Sequence, residues 1–259
     1  MKDQPITPPV ATQADAVGHL LRRSKRDEVP LAKTFLQQGA GRIRTAGPLA
    51  ALVRRRAERP LDLFLLILAG ASAAPFDIKL PSPTWGRMIG LEPTPSGRSA
   101  VSRAMRVLDD LQLIRRARAG NASVVHLLDE SGDGAPYEHP YHRGESYLRL
   151  PHAYWLENWH TTLTLPGKAM LLVALSLKED FELPHDRVPD WYGMSADTAA
   201  RGLNELIGHG ILRMNQTYES APLSATGWRE VRHYVLQGSL RPRVRDRGLA
   251  TVVQMAVGE

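Results

Sequence analysis

The sequence contains two similar segments, which constrains the fold more than any other feature of the chain. The dipeptide Leu80-Pro81 recurs as Leu183-Pro184 at an offset of 103 residues. Residues 99–115 recur as residues 197–213 at an offset of 98, so the first copy carries five extra residues between the two matches. Because similarity at a fixed spacing indicates one structural unit used twice, we expect two related domains in tandem.

Both copies show the same predicted order of elements, which is an apolar helix, a short strand, a short helix, a longer helix and a hairpin. In the first copy these elements are helix 61–71, strand 78–80, short helix 82–89, turn 94–97, longer helix 98–111, and strands 114–118 and 123–128. In the second copy they are helix 166–178, strand 181–183, short helix 188–192, a longer helix from the Ser195 cap to residue 209, and strand 211–218. The sequence then predicts a further helix that starts at Ser224 or Thr226 and ends at Gln237.

Composition indicates an intracellular globular protein. The 259 residues include no cysteine, which excludes disulfides and cysteine-ligated zinc and favours a reducing compartment. The N-terminal residues lack an apolar signal core, and the longest apolar run, residues 63–74, is shorter than the roughly 20 residues that span a bilayer. We therefore expect a cytoplasmic protein with no membrane partner.

The positive charge of the chain is concentrated near its N-terminus. Residues 1–60 hold 12 Lys and Arg against 5 Asp and Glu, a net +7, whereas residues 61–259 hold 21 against 22, a net −1. This distribution predicts either a basic arm for a polyanionic partner or a merely solvated surface. Basic residues of this region are expected to contact phosphates rather than bases, namely Arg22, Arg23, Lys25, Arg26, and Arg54 to Arg56.

These observations divide the chain into five parts. They are a basic and partly disordered N-terminal arm at 1–46, a first domain at 47–130, a linker at 131–146, a second domain at 147–238, and a C-terminal tail at 239–259. The fold class is mainly α with small β-hairpins, an α+β arrangement.

The longer helix of the first copy separates its apolar residues from a polar and basic stripe. A short helix, a turn, a longer helix and a hairpin make a winged helix-turn-helix, in which the longer helix enters the major groove of DNA. Arginine is the commonest partner of guanine edges, so this stripe predicts base contacts. The candidate DNA-binding residues are Arg98, Ser99, Ser102, Arg103 and Arg106 on the helix, Arg115, Arg116, Arg118 and Asn121 on the wing, and Thr198, Arg201 and Asn204 in the second copy.

The run 100–116 resembles the recognition helix and first wing strand of bacterial winged-helix regulators. This resemblance implies DNA contact by Ser99, Ser102, Arg103 and Arg106. A proline-rich insertion at 92–97 lengthens the turn before the helix and departs from the family pattern. Two winged helices in tandem also resemble the architecture of plasmid replication initiators.

Double-stranded DNA binding as a transcriptional regulator is the function that we expect. Two alternatives stay open: a plasmid or phage replication initiator, and a scaffold that uses winged helices for protein contacts without DNA. Segment 98–118 has a net charge of +4, but segment 195–217 has a net charge of 0. Asp197 and Glu205 would repel phosphates, so the second copy has three open roles: packing on the first, forming a homodimer, or binding DNA with few charge contacts.

The residues that could support metal binding, base stacking or catalysis do not form a recognisable site in the sequence. Glu138, His139 and His142 lie in the linker without a zinc-site pattern, and we expect no metal there. The aromatic residues Tyr154, Trp155 and Trp159 could stack on bases, but we expect them in the core between the two domains. The sequence has no phosphate-binding GxxxxGK[ST] and no GxSxG motif, so we expect neither an enzyme nor a cofactor.

Overall fold

The computed structural model describes residues 10–24, 26–40, 43–119, 122–184 and 187–241. The chain combines helices with small antiparallel sheets, an α+β composition. Of residues 1–11, which were expected to be disordered, residues 1–9 lie outside the described residues, as does most of the C-terminal tail.

The N-terminal region is folded into the body of the protein, which differs from the expected basic arm over 1–46. Its elements are α1 (Gln13–Arg22), β1 (Glu28–Ala32), β2 (Gln37–Ala40), β3 (Ile43–Ala46) and, just after it, α2 (Pro48–Arg54). Thr12 caps α1 by accepting a hydrogen bond from the Asp15 amide. Val17, Leu20 and Phe35 are almost completely buried. Burial of these apolar side chains against later elements stabilises a segment whose charge alone indicated an arm.

The first repeat follows the predicted order. It consists of α3 (Glu58–Gly70), β4 (Asp77–Lys79), α4 (Ser82–Met88), α5 (Pro95–Asp110), β5 (Ile114–Ala119) and β6 (Ala122–Leu127). Helix α3 is apolar nearly all round and lies in the core. The three strands form an antiparallel sheet in the order β4-β6-β5.

The second repeat has the same topology. Two short helices, α6 (Ala153–Leu156) and α7 (Trp159–Thr162), precede α8 (Leu165–Ser176), β8 (Phe181–Glu182), α9 (Val188–Tyr192), α10 (Ala196–Gly208), β9 (Leu212–Ser220) and β10 (Trp228–Leu236). The sheet order β8-β10-β9 matches that of the first repeat, with the third strand between the first and second. Ser195 caps α10 as predicted, accepting from the Thr198 amide at 3.1 Å.

The helix predicted between Ser224 and Gln237 is wrong, because this segment forms strand β10. All nine of its residues pair with β9, from Trp228 opposite Ser220 to Leu236 opposite Leu212. Trp228, Val231 and Tyr234 follow one another at intervals of three residues, a spacing that also fits one face of a helix. Pairing with β9 and burial of Tyr234 and Leu236 against the core decide the structure instead.

The two repeats share one continuous core rather than standing apart. Strand β1 pairs antiparallel with β7 (Tyr147–Pro151), which leads into the second repeat. Helix α2 packs against α8, and α9 packs against β3. There the Arg44 guanidinium lies over the Trp191 ring, 4.9 Å from its centroid. These contacts fix the relative position of the two repeats.

The expected linker at 131–146 contains neither a helix nor a strand, but its residues make specific contacts with the rest of the protein. Leu128 forms an isolated bridge with Pro136. Arg143 makes ion pairs with Asp129, Glu130 and Glu145, and Glu130 is completely buried. Residues Gly238–Leu240 at the start of the expected tail form a short 3-10 helix.

Candidate nucleic-acid interface

Helix α5 presents a polar and basic face to solvent. Its apolar side, formed by Ala100, Val101, Ala104, Met105 and Leu108, is buried. The predicted recognition residues all lie on the opposite, exposed side: Arg98, Ser99, Ser102, Arg103 and Arg106. One face therefore seats the helix, while the other is free to meet a ligand.

The extra residues of the first copy lengthen α5 at its N-terminus. The predicted turn 94–97 is instead the cap and first turn of the helix, with Thr94 accepting from the Gly97 amide at 3.1 Å. Pro95 stands at the first position, where its missing amide hydrogen is not needed. A Cβ at Gly97 would lie only 2.1 Å from the Glu92 carbonyl oxygen, so the turn requires glycine there.

A groove lined by arginines runs beside this face. Arg55, Arg56 and Arg59, at the junction of α2 and α3, line one side, and Arg103 of α5 lines the other. All four side chains are exposed. Glu58 also lines the groove, but its carboxylate binds a lysine of the second repeat. The groove is therefore strongly cationic, which suits a phosphate backbone.

This groove is not apparent from the sequence. Arg54, Arg55 and Arg56 were expected to contact phosphates outside the helix-turn-helix, and Arg59 was not among the predicted contacts. The Arg54 guanidinium instead lies against Gly193 in the second repeat. Only the fold brings residues 55–59 beside Arg103, because the juxtaposition depends on the packing of α3 against α5.

In the β5–β6 hairpin of the first repeat, which is the predicted wing, an ion pair reduces the available positive charge. Arg115 is exposed, but Arg116 donates through Nε to Oδ2 of Asp109 at 3.1 Å. Arg116 also lines a second groove together with Ser102, on the other side of α5 from Arg103. The side chain of Arg118 and all of Asn121 lie outside the described residues.

In the second repeat the candidate residues are more constrained. Arg201 pairs through Nε with Oδ2 of Asp197 at 3.1 Å, one helical turn away. Thr198 is half-buried and lies within hydrogen-bonding distance of Ser195. Asn204 is exposed. An intrahelical ion pair at this spacing partly neutralises Arg201, which is the repeat equivalent of Arg103.

Glu205 was expected on a groove-facing surface, where it would repel phosphates, and this expectation is wrong. Its carboxylate accepts from the Thr164 amide at 2.7 Å and from the Thr164 hydroxyl at 2.5 Å. These contacts place Glu205 at the N-terminus of α8, where a negative charge is favourable. Its role is to fix α10 against α8, so only Asp197 remains as an acid on the exposed face of the helix.

The aromatic residues and the linker histidine that were considered for other chemistry contact neighbouring side chains. Tyr154 and Trp155 are buried, as expected, with ring centroids 5.1 Å apart. Trp159 is only half-buried and packs against the core. His139 Nε2 lies 2.8 Å from Nη1 of Arg26. Burial, followed by the charge of Arg26, lowers the pKa of His139. Among the residues that the structure describes, no group of three His, Cys, Asp or Glu is arranged to hold a metal ion.

Comparisons of the chain with protein-family models, with curated proteins and with solved structures found no match. Within the described part of the chain, no helix is both long and apolar enough to cross a membrane.

Proposed function

We propose that each repeat is a winged helix-turn-helix and that the first repeat binds duplex DNA. The order helix, strand, helix, helix, strand, strand supports this assignment, as does the position of the third strand between the other two in both sheets. In such a unit α5 is the recognition helix and the β5–β6 hairpin is the wing.

The observation that carries the proposal is the exposed face of α5 beside the arginine groove. Ser102, Arg103 and Arg106 have side chains that can donate to base edges, and Arg55 and Arg59 stand where a phosphate backbone would flank the helix. No acidic side chain interrupts this face between Arg98 and Arg106. The role of the protein is then regulation of transcription at a specific site.

Salt-dependent binding to duplex DNA tests this function. Fluorescence anisotropy should show binding that weakens about a hundredfold or more between 50 and 200 mM salt, because at least four phosphates would lose counterions. Absence of duplex binding even at low salt would reject DNA binding and favour the protein-scaffold alternative.

A further inference from the structure

Strand β9 is a long edge strand that is exposed to solvent over nearly its whole length. In the sheet order β8-β10-β9 it has a neighbour on one side only. It runs for nine residues, and every residue after Leu212 is exposed. The corresponding strand of the first repeat, β5, is three residues shorter. An edge of this length offers a row of backbone donors and acceptors to another strand.

Apolar side chains are exposed on one face of the same ribbon. Met214 and Tyr218 of β9 and Trp228 of β10 are 39%, 63% and 48% exposed. The Tyr218 and Trp228 rings meet edge to face with centroids 5.1 Å apart. On the same face, nearer the body, Tyr234 and Leu236 are buried. The core-facing side of the ribbon thus continues past the body without cover, which is typical of an interaction surface.

The sequence of β9 is complementary to itself in antiparallel register. When two copies pair with Gln216 opposite Gln216, Arg213 lies opposite Glu219 at both ends. In the same register Met214 lies opposite Tyr218, and Asn215 lies opposite Thr217. Opposite charges and apolar pairs across strands are stabilising, so the Arg213–Glu219 and Met214–Tyr218 pairs favour this register.

Arg213 and Glu219, which form the charged pair in this register, can both accept a partner from a second copy. Among the described residues Arg213 has no ion-pair partner in its own chain. Glu219 binds Arg229 of β10, but Nε and Nη2 of Arg229 both donate to Oε2. Oε1 of Glu219 therefore remains free to accept from an arginine on the other side of the strand.

From these observations we propose that two copies of the chain form a symmetric dimer by antiparallel pairing of their β9 strands about a two-fold axis at Gln216. The two ribbons then form one continuous sheet, and Met214, Tyr218 and Trp228 of both copies cover each other. A two-fold dimer would also present two α5 helices, so a DNA site for it would be an inverted repeat. The dimer itself does not depend on DNA.

Sedimentation equilibrium of the full chain without DNA tests the proposal. The wild type should show a monomer–dimer equilibrium, and Arg213→Glu or Glu219→Arg alone should weaken the dimer about tenfold or more, because each places two like-charged pairs across the interface. An equimolar mixture of the two variants should recover the wild-type affinity, since the mixed dimer has both charge pairs restored. Lys79→Glu reverses an exposed charge on an edge strand of the first repeat and should leave association unchanged.

Three results would overturn the proposal. They are a chain that stays monomeric up to millimolar concentration, a dimer that Arg213→Glu does not weaken, and a mixture of the two variants that associates no better than either alone. Thermal melting of each variant shows whether the hairpin is intact, because Glu219→Arg also removes the partner of Arg229. If Glu219→Arg melts early, the comparison of Arg213→Glu with Lys79→Glu still decides the outcome.

Discussion

The ammonium group of Lys168 lies 2.8 Å from Oδ1 of Asp62, and this ion pair joins the first helices of the two repeats. Lys168, on α8, is only 2% exposed, and its Nζ also donates to Oε1 of Glu58 at 2.8 Å. Both acids belong to α3. Burial raises the pKa of Asp62 to about 6, against the opposing effect of Lys168. The two repeats are thus connected by a buried charge cluster as well as by a shared apolar core.

Lys168→Met should destabilise the fold by about 3–5 kcal/mol, because it leaves the Asp62 carboxylate buried without a counter-charge. The loss should be smaller below pH 6, where a protonated Asp62 no longer needs one. Urea unfolding at several pH values measures both effects.

The matched control is Lys178→Met, which removes an exposed lysine just beyond the same helix and should change stability by less than about 0.5 kcal/mol. The double variant Lys168→Met with Asp62→Leu should recover part of the loss, since apolar replacements of buried ion pairs are often tolerated. Equal stability of Lys168→Met and wild type would mean that the cluster does not hold the repeats together.

Tyr154→Phe should leave the unfolding free energy unchanged or raise it by about 1 kcal/mol. The hydroxyl of Tyr154 is buried and has no hydrogen-bond partner among the described residues, so its removal abolishes a desolvation cost. Tyr154→Ala, which also removes the ring, should cost about 3–5 kcal/mol. Chemical denaturation of both variants checks the contrast, and a clear loss for Tyr154→Phe would reveal a partner for the hydroxyl.

Glu130 should make stability depend on pH. Burial raises the pKa of its carboxyl from 4.5 to about 7. The folded state therefore keeps the proton at pH values where the unfolded chain has lost it. Measured against Glu130→Gln, the unfolding free energy of the wild type should fall by up to about 3 kcal/mol as pH rises from 4.5 to 7, and should change little above pH 7. If this difference grew with pH, the ionised carboxylate would instead be stabilised by Arg143.

Deleting residues 1–46 should unfold the protein rather than remove an arm, because it takes Val17, Leu20, Leu31 and Phe35 out of the core. Circular dichroism and thermal melting check this outcome.

The exposed pair Arg22 and Arg23 offers a test of the basic region that keeps the fold. Replacing both with alanine should weaken binding equally on all duplexes, and a change in preferred sequence would place base readout in α1.

Local sequence patterns predicted much of the fold. The period of Val101, Met105 and Leu108 fixes the buried face of α5, and Ser195 marks the start of α10, because both depend on nearby residues alone. By contrast, the basic residues of 1–46 led to the prediction of an arm. The burial of the apolar side of α1 was missed, because its partners lie far along the chain. The pairing of β1 with β7 is equally non-local. Strand β10 directly follows its partner β9, but a helix-like spacing of its apolar residues concealed the strand.

Part of the candidate site was likewise predictable from local sequence patterns, and part of it was not. The exposed stripe of α5 follows from helical periodicity, so Ser102, Arg103 and Arg106 could be named from the sequence. The neighbouring Arg55 and Arg59 could not, since nothing local places them beside Arg103. The contacts of Glu205 with Thr164 were also hidden, because helix periodicity gives the direction of a side chain but not the partner that it meets.

The most direct test of the proposed DNA interface compares Arg103→Ala with Arg201→Ala on one selected duplex. The two residues are equivalent in the repeats, but Arg103 borders the arginine groove whereas Arg201 is paired with Asp197. Arg103→Ala should cost about 1–3 kcal/mol of binding free energy and relax the base preference at one position. Arg201→Ala should cost clearly less, with both proteins folded by melting. A larger loss for Arg201→Ala than for Arg103→Ala would contradict the assignment of DNA binding to the first repeat.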